Sequence, residues 1–197
     1  MARMSDTSNQ LTPCDLWWKH HEVNSHYLGN GEPQVLEIMT KLPSFKEELI
    51  ICEYGCGAGR NLTLLNEYWD LYLYGYDFNP EMIKAAKRRL HIPLSTNRES
   101  IAEYGIFDLI FTLSVLDHIL DPIEHIKWIA EHCHYMAFIE PWVGKECDMT
   151  PEFCDEPFSW SWNYDKLLKD YNVIDKYHSP IATGGLAEYY YTWIVKC

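Results

Sequence analysis

At 197 residues the chain is the size of one domain and long enough to bury a full core without disulfides or metal. Hydrophobic residues make up 47% and charged residues 23%, an ordinary balance for a soluble globular protein. The formal net charge is −13, from 16 basic and 29 acidic residues, which disfavours nucleic acid as a partner and suits cationic or neutral small molecules.

Residues 1 to 10 are polar and expected to fray, and they lack the apolar core of a signal peptide. No apolar run reaches the length of a membrane span. Seven cysteines, an odd number with no C-x-x-C pair, read as reduced thiols in a cytoplasmic protein with no metal site. Residues 11 to 29 read as a helix opened by Thr12-Pro13 and closed near Gly29. Residues 32 to 45 read as a second helix, broken near Pro43. ELIICEYG is a buried central strand ending in glycine. The chain then alternates: GRNLTLLNEYW as helix, LYLYGYDF as strand, and PEMIKAAKRRL as helix with Pro80 in its first turn. HIPLSTN is a weak strand and FDLIFTLS a strong one. DPIEHIKWIAEHC is a helix capped by Asp121, with Pro122 at its first position, and HYMAFIEP is the next strand. Residues 142 to 159 are irregular, SWNYDKLLKDY is a helix, and NVIDKYHS and EYYYTWIVKC close the chain as a hairpin. This β-then-α alternation predicts one α/β domain over 1–197: a mostly parallel seven-stranded sheet, helices on both faces, and an antiparallel last strand.

The strongest chemical signal is Glu53-Tyr54-Gly55-Cys56-Gly57-Ala58-Gly59-Arg60, placed between a buried strand and a helix. Glycines at that junction let the backbone turn sharply and a ligand approach closely. Dinucleotide sites use G-x-G-x-x-G; here Arg60 stands where the third glycine would be, which disfavours a nicotinamide-dependent oxidoreductase. Asp77 follows 24 positions after Glu53, at the tip of the second strand, where a carboxylate can accept from a ribose diol. Phe78 and Met82 beside it can sandwich an adenine ring. Asn79 can cap the following helix by itself, which leaves Asp77 for a ligand.

In their order these segments resemble the class I S-adenosylmethionine (SAM)-dependent methyltransferases over roughly residues 48 to 142. EYGCGAGR looks like the SAM-binding signature and GYDFNPEMI like the second-strand acidic motif. FDLIFTLSVLDHILDP and HYMAFIEPW are similar to the fourth- and fifth-strand motifs of the group that includes ubiquinone- and menaquinone-biosynthesis enzymes. The resemblance implies a Rossmann-like fold, SAM as cofactor, and a small-molecule acceptor. It implies that Glu53, Gly55, Cys56, Gly57 and Gly59 surround the methionine part, that Asp77 holds the ribose, and that Phe78 and Met82 flank the adenine. Glu99 would meet the adenine amine, and Ser114 and Val115 would lie near the sulfonium. The N-terminal segment, 1–45, would close as a helical lid, with Trp17, Trp18, His20 and Tyr27 lining the acceptor cleft together with Trp142.

Asp117-His118 is the candidate catalytic pair, because an imidazole oriented by a carboxylate can take a proton from the acceptor. The stronger reading gives the pair a purely structural role. Between Glu140 and Glu156 six acids face one lysine, with Trp142, Phe153, Phe158, Trp160 and Trp162 interleaved. An acidic, aromatic loop over 142–160 on the substrate side suits an amine or other cation through cation–π contact; a solvated loop held down by its aromatics fits as well. A nucleic-acid or protein methyltransferase is the first rival, disfavoured by the missing basic stripe and by Ser114-Val115-Leu116-Asp117 where an Asn-Pro-Pro-Tyr string would stand. A non-catalytic SAM-binding module is the second. Neither membrane nor nucleic acid is expected as a partner, and the chain is expected to be a monomer or a homodimer.

Overall fold

A computed structural model describes residues 11–42, 48–150, 152–153, 157–182 and 186–197. The apolar runs pair as the alternation predicts. β1 (Ile50–Tyr54), β2 (Tyr72–Tyr76), β3 (Leu94–Ser95), β4 (Phe107–Leu113) and β5 (Cys133–Pro141) run parallel. A two-residue pair, β6 (Cys147–Asp148) and β7 (Trp160–Ser161), sits apart from the main sheet and gives regular structure to a segment expected to be irregular. β8 (Asn172–His178) and β9 (Tyr190–Lys196) complete seven strands in the order β3-β2-β1-β4-β5-β9-β8, with β9 antiparallel to both neighbours. The strand order reverses between β1 and β4, and in such sheets the crevice at the carboxyl ends of those strands takes the ligand.

Period-2 alternation divides the core between the two faces of the sheet. Ile51, Leu109, Phe111 and Ile139 meet Leu62, Leu65 and Ile83 on one side. Cys52, Ile110 and Phe138 meet Ile101, Ile126 and Ile129 on the other. The helices involved are α3 (Arg60–Tyr68) and α4 (Pro80–Ala86) on the first face, and α5 (Arg98–Ala102) and α6 (Ile123–Glu131) on the second.

Four helices differ from their sequence pattern, each for its own cause. α1 spans only Pro13–Lys19, under a Thr12–Asp15 capping box, and the chain turns through residues 25–29. The side chain of Asn79 takes the carbonyls of Trp18 and His21, which a longer helix would keep for itself. α2 (Pro33–Lys41) ends at an extended Leu42, the conformation favoured before proline; Pro43, like residues 1–10, lies outside the described residues. α7 is one turn, Tyr164–Leu167, capped by Asn163. α6 (Ile123–Glu131) starts one residue late, with Pro122 as cap, while Asp121 Oδ1 still accepts from the Ile123 N–H, the capping contact expected of it. No described helix is long and apolar enough to cross a membrane.

Candidate active site

The turn after β1 uses three left-handed residues, Gly55, Gly57 and Gly59, at φ 81°, 52° and 78°. At Gly55 a side chain is doubly barred: a Cβ there would lie 2.4 Å from Val115 Cγ2. The Gly55 and Cys56 N–H groups donate to Tyr76 O at 2.7 and 2.9 Å, closing the turn onto β2. The Gly57 N–H donates to Asp77 Oδ2 at 2.8 Å, and the Asn79 N–H donates to Asp77 Oδ1 at 2.9 Å. Asp77 therefore braces the glycine turn as well as facing the cleft. Desolvation pushes its carboxyl up to about 6, against the pull of those two N–H bonds.

Glu53 is 2% exposed. Its Oε1 accepts from Asn61 Nδ2 at 2.7 Å, and its Oε2 is buried without a hydrogen-bond partner. Burial pushes this carboxyl up to about 8; the Asp77 charge adds to the rise, while Asn61 and Arg60 oppose it. Asn61 is itself held, its Oδ1 accepting from the Glu32 N–H at 3.0 Å. The Glu32 carboxylate pairs with Arg60 at 3.2 Å and accepts from the Ala182 N–H. Glu53 is thus fixed by contacts from the start of α2, from α3 and from the loop before β9.

Across the cleft, Ser114 adopts φ 52° and its Oγ accepts from the Tyr190 hydroxyl at 2.7 Å. The loop it begins is fastened by Glu140, which is fully buried at the end of β5. Glu140 accepts from Thr112 Oγ1 at 2.6 Å and from the N–H groups of Val115, Leu116 and Asp117 at 3.2–3.3 Å. It was expected on the acidic rim; the structure puts it inside, where backbone donors satisfy it. The rim aromatics also turn inward: Trp162 Nε1 donates to Leu116 O and Ile119 O, and Trp142 packs on the second core face.

A cleft of about 860 Å³ joins these elements, within the range of small-molecule sites. It is lined by Glu53, Gly55, Cys56, Gly57, Asp77, Phe78, Met82, Glu99, Ser114, Val115, His118, Trp18 and Tyr27 of the expected set. Gly59, Asp117, Trp17, His20 and Trp142 do not line it. Gly59 serves packing, since a Cβ there would meet Leu90 at 2.8 Å. Trp17 and His20 border a separate shallow groove, because only one side of so short a helix faces inward. Glu99 Oε1 is already engaged by Trp128 Nε1 and Arg98 Nε. Cys56 Sγ is buried against Gly75, whose Cβ would come within 2.8 Å of it, and its thiol is held well above the usual range by burial.

His118 is boxed in. Its ring lies 3.9 Å from that of Trp18, Nδ1 sits 3.1 Å from Ser159 Oγ and 3.3 Å from Phe158 O, and Nε2 is 3.5 Å from Asp117 Oδ2. The Cys14 thiol donates to the His118 carbonyl, so α1 lies over the β4 loop at two points.

The sequence reading missed a polar group at the far end of the cleft. Tyr54 Oη lies 2.6 Å from His125 Nδ1, with Arg98 Nη1 3.5 Å from the same hydroxyl. Burial pushes His125 down to about 4, with Arg98 adding to the effect. Alternation assigns Tyr54 to the opposite face from Glu53, which is right for its ring. It says nothing of a hydroxyl reaching the cleft at the strand's end.

The chain matches the protein family described as "Methyltransferase domain" over residues 27–176. No curated protein matches it by sequence. Among solved structures it is similar to phosphoethanolamine N-methyltransferase 2 of Haemonchus contortus in complex with S-adenosyl-L-methionine. That TM-score is 0.72 at 12% identity, covering 94% of this chain and 60% of that chain. It is also similar to magnesium protoporphyrin IX methyltransferase of Synechocystis PCC 6803 with bound SAM, with a TM-score of 0.55 at 17% identity, covering 91% of this chain and 87% of that one. A putative S-adenosylmethionine-dependent methyltransferase of Listeria monocytogenes gives 0.61 at 14% identity, covering 82% and 97%. At these identities the likeness is one of fold.

Proposed function

We propose that the chain, which belongs to the methyltransferase domain family, is SAM-dependent and methylates a nitrogen or oxygen of a small-molecule acceptor by direct in-line displacement. The observation that carries this reading is Glu53 Oε2, a buried carboxylate oxygen with no partner, set beside the glycine turn and Asp77 at the switch point of the sheet. A buried carboxyl oxygen left unmet calls for a polar partner from a ligand, and the ammonium of the SAM methionine part provides one as Glu53 gives up its proton. Asp77 would take the ribose hydroxyls on lone pairs left by its two N–H partners. Phe78 and Met82 would flank the adenine, Glu99 would stand toward its amine, and Ser114 and Val115 would border the sulfonium. Trp18 and Tyr27 remain to face the acceptor, and their ring faces suit an amine or other cation.

SAM supplies a methyl already activated on a sulfonium, so the reaction asks the protein for alignment and exclusion of water. The α1 strap and the Glu140-fastened loop meet that demand. Where the acceptor still holds its proton, His118 backed by Asp117 is the group proposed to take it, after exchanging its Ser159 partner. For a hydroxyl acceptor, His118→Asn is then expected to lower kcat ~100-fold with little change in KM. An unchanged kcat would leave the ring as a prop for Trp18.

Calorimetric titration with SAM, S-adenosylhomocysteine and NAD tests the cofactor assignment. The first two are expected to bind and NAD is not; binding of NAD alone would overturn the assignment. The same instrument reads Glu53. In the ligand-free protein its raised pKa means that its contribution to stability is full below 4.5 and is lost as pH rises toward about 8. An ammonium favours the ionised carboxylate, so SAM binding at pH 7 is expected to release protons, seen as heats that differ among buffers of different ionisation enthalpy. Affinity is expected to rise from pH 6 to 7.5, and Glu53→Gln to remove most of the proton release, leaving the smaller rise that Asp77 contributes.

A further inference from the structure

Away from the cleft, at the start of β5, two thiols meet. Cys133 Sγ and Cys197 Sγ lie 3.8 Å apart across 64 residues of chain. Their backbones are set by the sheet: Tyr135 pairs with Lys196, and the Cys197 N–H donates to His134 O at 3.0 Å. Cys133 is buried, with its thiol on the Ile129 carbonyl, and Cys197 is exposed. The other described cysteines have no such neighbour among the described residues: the Cys14 thiol meets the His118 carbonyl, and that of Cys56 packs against Gly75. None of the chemistry above uses this pair.

We propose that Cys133 and Cys197 are a reversible disulfide site, closed by thiol–disulfide exchange with an oxidised low-molecular-weight disulfide of the glutathione type. Exposure makes Cys197 the attacking thiol, and the Cys133 thiol beside it holds Cys197 below the ordinary thiol range. Cys197 loses its proton to solvent, and its thiolate attacks one sulfur of the small disulfide, forming a mixed disulfide and releasing one small thiolate. Cys133 then gives up its proton, and its sulfur attacks the Cys197 sulfur and displaces the second small thiolate. The two protein thiols are oxidised to one disulfide, and the small disulfide is reduced to two thiols once the released thiolates regain the two protons. Joining them takes closure from 3.8 Å to bonding distance at the end of a strand pair, with both side chains turning into disulfide geometry. The bond would close a loop holding β5, α7, β8 and β9, which restricts the unfolded chain most when the loop is long.

The full chain, equilibrated under native conditions over a series of oxidised-to-reduced glutathione ratios, is quenched with acid, alkylated and weighed intact. The expected product has lost two hydrogens, carries no glutathione and yields a Cys133–Cys197 cross-linked peptide. Its melting temperature is several degrees above that of the reduced form, and its affinity for SAM is unchanged. Cys197→Ser, at an exposed position, should show neither the mass change nor the melting shift. The proposal is overturned if both thiols stay alkylatable at every ratio, if Cys197 stops at the mixed disulfide, or if the cross-link joins other cysteines. It stands or falls independently of the methyl acceptor.

Discussion

Asp77→Ala is expected to weaken SAM binding by ~100-fold or more, because charge-assisted hydrogen bonds are worth about 1.5–3 kcal/mol each and a diol forms two. The loss has two sources. The ribose loses its acceptor, and the Gly57 N–H loses the oxygen that holds it 2.8 Å away. Asp77→Asn separates them, since an amide oxygen can keep one of the two N–H contacts while the charge is gone. Calorimetry gives the affinity and a melting curve reports the fold. Both variants should melt as cooperatively as the parent. SAM affinity unchanged in Asp77→Ala would remove this residue from the ribose site.

Glu140→Ala is expected to cause the largest loss of stability. It leaves the Thr112 hydroxyl and three backbone N–H groups facing a buried hole. Each buried donor without an acceptor costs about 1–3 kcal/mol, so four cost ~4 kcal/mol at the least. In a domain of this size that lowers the melting temperature by ~8–16 °C. Because those donors form the loop that carries Ser114 to His118, whatever folded protein remains should bind SAM more weakly. A melting temperature within 3 °C of the parent, an outcome outside the range expected from the same costs, would mean that water replaces the carboxylate and that the loop holds without it.

The alternation of apolar runs was enough to read all seven strands of the main sheet and the antiparallel β9, because buried parallel strands carry continuous Ile, Leu and Phe. The glycine spacing located the turn, and the acidic residue after β2 located the far wall of the cleft. Three things were hidden. α1 stops at Lys19 because the side chain of Asn79, sixty residues away, takes carbonyls that helical hydrogen bonds would otherwise use. Glu140 reads as one more acid in an acidic stretch, since nothing local reveals that the loop after the neighbouring β4 folds its N–H groups onto it. The Tyr54–His125 contact joins β1 to α6 and depends on the packing of the second face. In each case the partner is distant in sequence, and neither periodicity nor spacing encodes the meeting.

Asn79 fills every polar valence it has. Its Oδ1 accepts from the Glu81 and Met82 N–H groups at the start of α4, and its two amide hydrogens go to Trp18 O and His21 O. One side chain therefore fastens the strap over the cleft and starts the helix that carries Met82. Lifting the strap breaks two contacts on the amide whose oxygen holds that helix in place, so the roof and one wall loosen together. The roof and that wall are thus one mechanical unit, held jointly by this amide and by the contacts of α1 with the β4 loop.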